Sequence, residues 1–132
     1  MPAGAWDVAL IDTLGQLPVY YGMASVVFIG GSLIPHGGQN PLEAASLGKP
    51  VIFGPSMHNF DVITHQLLAH HAARQLSSER DLAPLLLELL ADWPQTAAMG
   101  QRAQVLTERF QGATQRTLEV LRPFLTPSFP TA

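Results

Sequence analysis

Asn40-Pro41-Leu42-Glu43 is the run of this sequence best suited to holding a ligand. Asn40 is a good N-cap, Pro41 suits the first helical position, and Glu43 falls on the third. A helix N-terminus entered from a glycine loop offers free amides to a phosphate or another anion. Gly30-Gly31-Ser32 and Gly37-Gly38 supply such a loop, because glycine admits close approach of a ligand and positive φ. Gly31, Ser32 and His36 are therefore candidate ligand-loop residues, Ser32 through its hydroxyl and His36 as a donor. A merely solvated His36 is an equal reading. Glu43 also has two readings. In a capping box its carboxylate returns to the amide of the cap residue; alternatively it accepts from sugar hydroxyls, as the acidic residue of a dinucleotide fold does with ribose. Glycines on both sides favour the second reading, although their spacing fits neither GxGxxG nor a P-loop.

Other constellations are weaker. His65, His70 and His71 fall on one helix at spacings of five and one, whereas a metal-binding pair on a helix needs a spacing near four. No metal site is expected, and without cysteine neither disulfides nor thiolate sites exist. No Ser-His-Asp or paired-carboxylate arrangement follows from spacing, so no catalytic residue is assigned.

These residues need a sheet to carry them. Val8–Ile11, Val26–Ile29, Val51–Phe53 and Arg74–Ser77 read as four short strands. Leu17–Ala24, Pro41–Leu47, Asp61–Ala73 and Leu82–Trp93 read as helices between and after them. Strands alternating with helices imply βαβ units, an α/β fold with a Rossmann-like parallel sheet and flanking helices. In such sheets ligands bind outside the carboxyl ends of the strands, where Gly30-Gly31-Ser32 stands. A long helix is expected over 97–125. Met99, Ala103, Leu106, Phe110, Ala113, Thr117, Leu121 and Phe124 make one apolar stripe in it, with Arg102, Arg109 and Arg116 along one flank. A solvated rim or a weak contact with anionic lipid would both account for that flank. Residues 1–125 read as one domain and 126–132 as a loose tail.

With 132 residues the chain is the size of one domain. Its charge of −3 gives no electrostatic footprint for nucleic acid. No apolar run reaches the length of a membrane span, and the start lacks the order of a signal peptide. Charged residues make up only 13%, so part of the surface is expected to lie against something else.

Residues 12–60 resemble the C-terminal domain of 3-deoxy-D-manno-octulosonic acid (Kdo) transferases. The likeness rests on Asp-Thr-Leu-Gly, Phe-Ile-Gly-Gly-Ser-Leu, His-Gly-Gly-Gln-Asn-Pro-Leu-Glu, and Gly-Pro followed by His-Asn-Phe, in that order. It implies part of the C-terminal half of a two-domain GT-B glycosyltransferase. That family moves Kdo from CMP-Kdo onto the lipid A precursor in lipopolysaccharide biosynthesis, at the cytoplasmic face of the Gram-negative inner membrane, without a metal ion or other cofactor. By position, the family's cytidylate contacts fall on Leu14, Gly15 and Gln16 and on Asn40, Pro41, Leu42 and Glu43. Position 16 is often glutamate in the family, and here it is glutamine.

The family's catalytic glutamate belongs to an N-terminal domain that this chain lacks, so the resemblance implies a donor-binding piece, soluble and inactive alone. Two other readings stay open. One is a transferase half for a uridine nucleotide-sugar. The other is a non-catalytic interaction module that self-associates through the terminal helix.

Overall fold

The computed structural model describes residues 7–110 and 112–125. Three short strands, β1 (Val27–Phe28), β2 (Val51–Phe53) and β3 (Ala73–Gln75), form a parallel sheet in the order β1-β2-β3. Val27 pairs with Val51, and Val51 in turn with Ala73. Among the described residues six α-helices accompany the sheet: α1 (Leu17–Met23), α2 (Leu42–Ser46), α3 (Asp61–Ala69), α4 (Leu82–Ala91), α5 (Trp93–Phe110) and α6 (Ala113–Leu125).

β2 shows why the sheet must be covered on both faces. Val51, Ile52 and Phe53 are all fully buried. Side chains alternate across a strand, so Val51 and Phe53 enter one core with Ala44 and Ala45 of α2 and Leu67 of α3. Ile52 enters the other, with Leu85 and Leu89 of α4. Helix α5 serves both layers, placing Ala103 and Leu106 in the first and Met99 in the second. Continuous apolar strands with helices on each side are the signature of a parallel α/β sheet.

Four expectations are corrected. Val8–Ile11 forms no strand: Val8 and Leu10 are 85% and 89% exposed. An apolar run becomes a buried strand only beside a partner, and β1 is paired with β2 alone among the described residues. Helix α3 ends at Ala69, four residues early. His71 adopts φ 50°, and the amides of His71 and Ala72 turn back to the carbonyls of Leu68 and Leu67 at 3.0 and 2.8 Å. That is a Schellman cap built on a histidine where glycine is usual. β3 consequently starts one residue sooner and ends at Gln75, two residues before the expected limit.

The long helix over 97–125 is two helices, and the first begins at Trp93. Asp92 ends α4, and its side chain receives the amide of Gln95 at 3.2 Å, which starts α5. At Gly112, φ 86° interrupts the helix, and its carbonyl receives the amide of Arg116 as α6 begins. The apolar stripe divides there. Met99, Ala103 and Leu106 are buried, whereas Leu121 and Phe124 are 43% and 81% exposed. Arg102 is drawn off the expected flank, its Nε donating to the His71 carbonyl at 2.8 Å. The expected tail lies outside the described residues. Among the described residues no helix is long and apolar enough to cross a membrane.

Candidate functional site at the carboxyl edge of the sheet

The chain leaves β1 into a loop of residues 30–39 and enters α2 at Asn40. The loop closes on itself through the amides of Gly38 and Gln39, which donate to Gly31 and Gly30 carbonyls, each at 3.2 Å. Asn40 Oδ1 then accepts the Leu42 amide at 3.0 Å, an N-cap bond. Pro41 is buried at φ −78° and ψ −17°, already helical.

Only half of a capping box is built. The Glu43 carboxylate is exposed and makes no hydrogen bond among the described residues. Its neighbour is Tyr21 of α1, whose phenol is pushed above its ordinary pKa by burial and, second, by the Glu43 charge. Glu43 also borders a shallow depression of about 290 Å³ with Asn40, Leu42 and Ser46, walled from α5 by Thr107 and Phe110. A capped helix start with an unspent carboxylate suits a ligand bearing both an anionic group and hydroxyls.

The other site candidates are placed less uniformly. Leu14 is fully exposed and Gly15 takes φ 79° in the turn before α1. Gln16 Oε1 accepts from Thr13 Oγ1 at 3.2 Å. No hydrogen bond among the described residues joins this turn to Asn40–Glu43; the connection runs through α1, which packs on α2. Ser32 was expected to offer its hydroxyl to a ligand, but that hydroxyl is fully buried. It donates to the Ile29 carbonyl and accepts the Gly54 amide at 2.8 Å, tying the β1 and β2 exits together. His36 is exposed, its ring 3.0 Å from where a Gly31 Cβ would stand.

Sequence reasoning missed the partner of the second glycine pair. A Cβ on Gly37 would meet Asn59 and His58, and one on Gly38 would meet the Met57 sulfur. The Gly37 amide donates to Ser56 Oγ at 3.3 Å, and Asn59 Nδ2 donates to the His36 carbonyl at 3.2 Å. Gly37-Gly38 therefore makes room for the protein's own 56–59 loop. Tyr21, Thr107 and Phe110 were missed as neighbours of Glu43 too; only Phe110 carried a signal, as a member of the apolar stripe.

No family model matches the chain. A curated 3-deoxy-D-manno-octulosonic acid transferase of Bordetella pertussis is 41% identical over 119 residues, which is 90% of this chain and 28% of that protein. Another from Haemophilus influenzae is 32% identical across 95% of this chain and 30% of its own length. The C-terminal CMP-Kdo binding domain of WaaA from Acinetobacter baumannii superposes with a TM-score of 0.69 at 30% identity, covering 74% of this chain and 51% of that one. The chain belongs to the Kdo transferase family. It spans less than a third of the length of these two curated relatives. Within that family its α/β fold is part of the Rossmann-like C-terminal half of a GT-B glycosyltransferase. Asn40 and Glu43 stand where such a sheet presents ligands, outside its carboxyl ends.

Proposed function

We propose that this chain holds the cytidine monophosphate of CMP-Kdo for a Kdo transferase. The observation that carries the reading is the Glu43 carboxylate, left unbonded beside a helix start already capped by Asn40. In this reading the α2 entrance receives phosphate, Glu43 accepts from the ribose hydroxyls, and Leu14, Gly15 and Gln16 border the nucleotide. The whole enzyme moves Kdo onto the lipid A precursor, on the cytoplasmic face of the inner membrane and without a metal ion. A general base must come within hydrogen-bond reach of the acceptor hydroxyl. Asp7, Asp12 and Glu43 are the carboxylates nearest the site in sequence, and Glu43 is committed to the nucleotide. The resemblance assigns the base to a glutamate of the family's N-terminal domain, and on that reading the chain alone transfers nothing.

Calorimetric titration with CMP and UMP tests the proposal. CMP is expected to bind at least tenfold more tightly than UMP. Equal binding would move the assignment to a uridine nucleotide-sugar, and binding of neither would remove the nucleotide function. One observation favours the interaction module as second reading: Leu118, Leu121 and Phe124 of α6 are exposed, and apolar patches of this kind promote association. Sedimentation showing a dimer that dissociates on Phe124→Ser, with no CMP binding, would establish it.

A further inference from the structure

The opposite end of the sheet carries a cavity of its own. It measures about 450 Å³ and lies at the amino end of β3, between that strand, α4 and the first half of α5. That size falls within the range of small-molecule sites. Ala73, Leu89 and Met99 line it with buried apolar groups, and Arg74, Gln95 and Arg102 line it with polar ones.

Only one of the two arginines is neutralised. Arg74 donates from Nη1 and Nη2 to the Glu88 carboxylate at 3.0 and 3.5 Å. No carboxylate pairs with Arg102 among the described residues. Its Nε donates to the His71 carbonyl at 2.8 Å, and no bond among the described residues uses its two Nη groups. The backbone sets that anchor, because His71 is held at φ 50° where the chain turns into β3. A guanidinium fixed at one end presents its remaining fork to an oxyanion already oriented. The Thr96 hydroxyl is spent on the Leu89 carbonyl at 2.7 Å, whereas the Gln95 amide group bonds to nothing among the described residues. Gln95 and Arg102 stand seven residues apart on one face of α5, roughly 10 Å along its axis. That span exceeds a lone phosphate and matches a phosphate joined to a short hydroxylated skeleton.

We propose that this cavity binds the phosphate ester of a small polyol, with the phosphate on Arg102, a hydroxyl on Gln95 and the carbon skeleton over Leu89 and Met99. The ester is either free in solution or the headgroup of a phospholipid. Arg102 also borders a depression with Ala98, Val105 and Leu106, an apolar path for the start of an acyl chain. None of these residues belongs to Asn40–Glu43, so the inference stands or falls apart from the nucleotide reading.

The test uses the 132-residue chain with glycerol 3-phosphate, inorganic phosphate and glycerol as soluble probes. Backbone amide resonances are followed by NMR. Glycerol 3-phosphate is expected to shift residues 71–74 and 95–102 and to leave 40–43 unmoved, and glycerol is expected to shift nothing. Arg102→Gln should weaken the ester about tenfold, as loss of a charged hydrogen bond does. Gln95→Ala, at an exposed helix position, should weaken the ester about threefold and leave inorganic phosphate unchanged. It carries the test if Arg102→Gln fails to fold. Co-sedimentation with phosphatidylglycerol vesicles but not phosphatidylcholine vesicles, lost in Gln95→Ala, assigns the ester to a lipid headgroup. Ester binding without co-sedimentation assigns it to a free metabolite. Absent shifts, shifts spread over every basic surface, or an ester affinity untouched by both variants overturns the site.

Discussion

The two glycine pairs of the loop over 30–39 look alike in sequence and do different work. A Cβ on Gly30 would meet nothing within 4 Å, and Gly30 is exposed with an ordinary φ. Gly37 and Gly38 are buried, with φ of 95° and 74°, and a Cβ on either would strike the loop from Ser56 to Asn59. Of the first pair, Gly30 leaves space open to solvent at the edge of a site, while Gly31 takes φ 69° with the His36 ring 3.0 Å from where its Cβ would stand. The second lets two pieces of the protein close on one another. A glycine-rich loop at a sheet edge is thus not one device, and only its surroundings tell the two uses apart.

The largest effect should come from filling the closed end. Gly38→Ala combines a left-handed backbone, which costs roughly 1–2 kcal/mol for a residue bearing Cβ, with overpacking of about 1–3 kcal/mol against Met57. Stability should fall by about 3 kcal/mol, read as a lower urea midpoint. Gly30→Ala provides the contrast and should leave the midpoint within experimental error. Equal losses at the two positions would end the distinction.

Ser32→Ala attacks the clasp between the two strand exits. The Gly54 amide is buried and depends on the Ser32 hydroxyl, and a buried donor left without a partner costs roughly 1–3 kcal/mol. Because that hydroxyl does not face a ligand, CMP affinity should survive in whatever fraction remains folded. A variant of unchanged stability but lost affinity would return Ser32 to the site.

The central part of the fold was legible because its signals are local. Val51-Ile52-Phe53 lies between Pro50 and Gly54, and nothing but a short buried strand suits it. Asn40 followed by Pro41 marked the start of α2, and the N-cap bond to Leu42 is formed. What failed depended on partners remote in sequence. Val8–Ile11 has the composition of a strand, but no described strand pairs with it. A separation of 19 positions from Gly37 to Ser56 hid the contact that requires glycine. Gly112 was visible as a lone glycine in a helical pattern, and the unbroken stripe outweighed it. The half-made box at Asn40–Glu43 shows the same limit, since spacing alone does not say which way a carboxylate turns.

Glu43→Gln separates the two readings of that carboxylate. A capping box tolerates glutamine at this position, so a structural Glu43 would permit the change without loss of binding. A carboxylate accepting from ribose makes a charged hydrogen bond, stronger than a neutral one. CMP should bind about tenfold more weakly, and the melting temperature should hold nearly constant because Glu43 caps nothing in the folded chain. Lower stability with unchanged CMP affinity would make Glu43 a structural residue after all.

The smallest effect is electrostatic and is read on Tyr21. Its pKa stands above the ordinary 10.0, first because burial disfavours the phenolate and second because Glu43 repels it. Removing the charge with Glu43→Gln should lower the Tyr21 pKa only part of the way, since the larger cause remains. Spectrophotometric titration of the phenolate band, with Tyr20→Phe to isolate one tyrosine, reads this directly. A raised folded pKa also fixes the sign of the linkage: the neutral phenol's contribution is fully present below pH 10.0 and is lost as pH rises through the folded value. The wild-type chain should therefore lose stability above pH 10.0, and Tyr21→Phe, with no proton to release, should lose less over the same interval. A Tyr21 that titrates unchanged in Glu43→Gln would mean the carboxylate turns away from α1 in solution. The pairing of α1 with the nucleotide edge would then rest on packing alone.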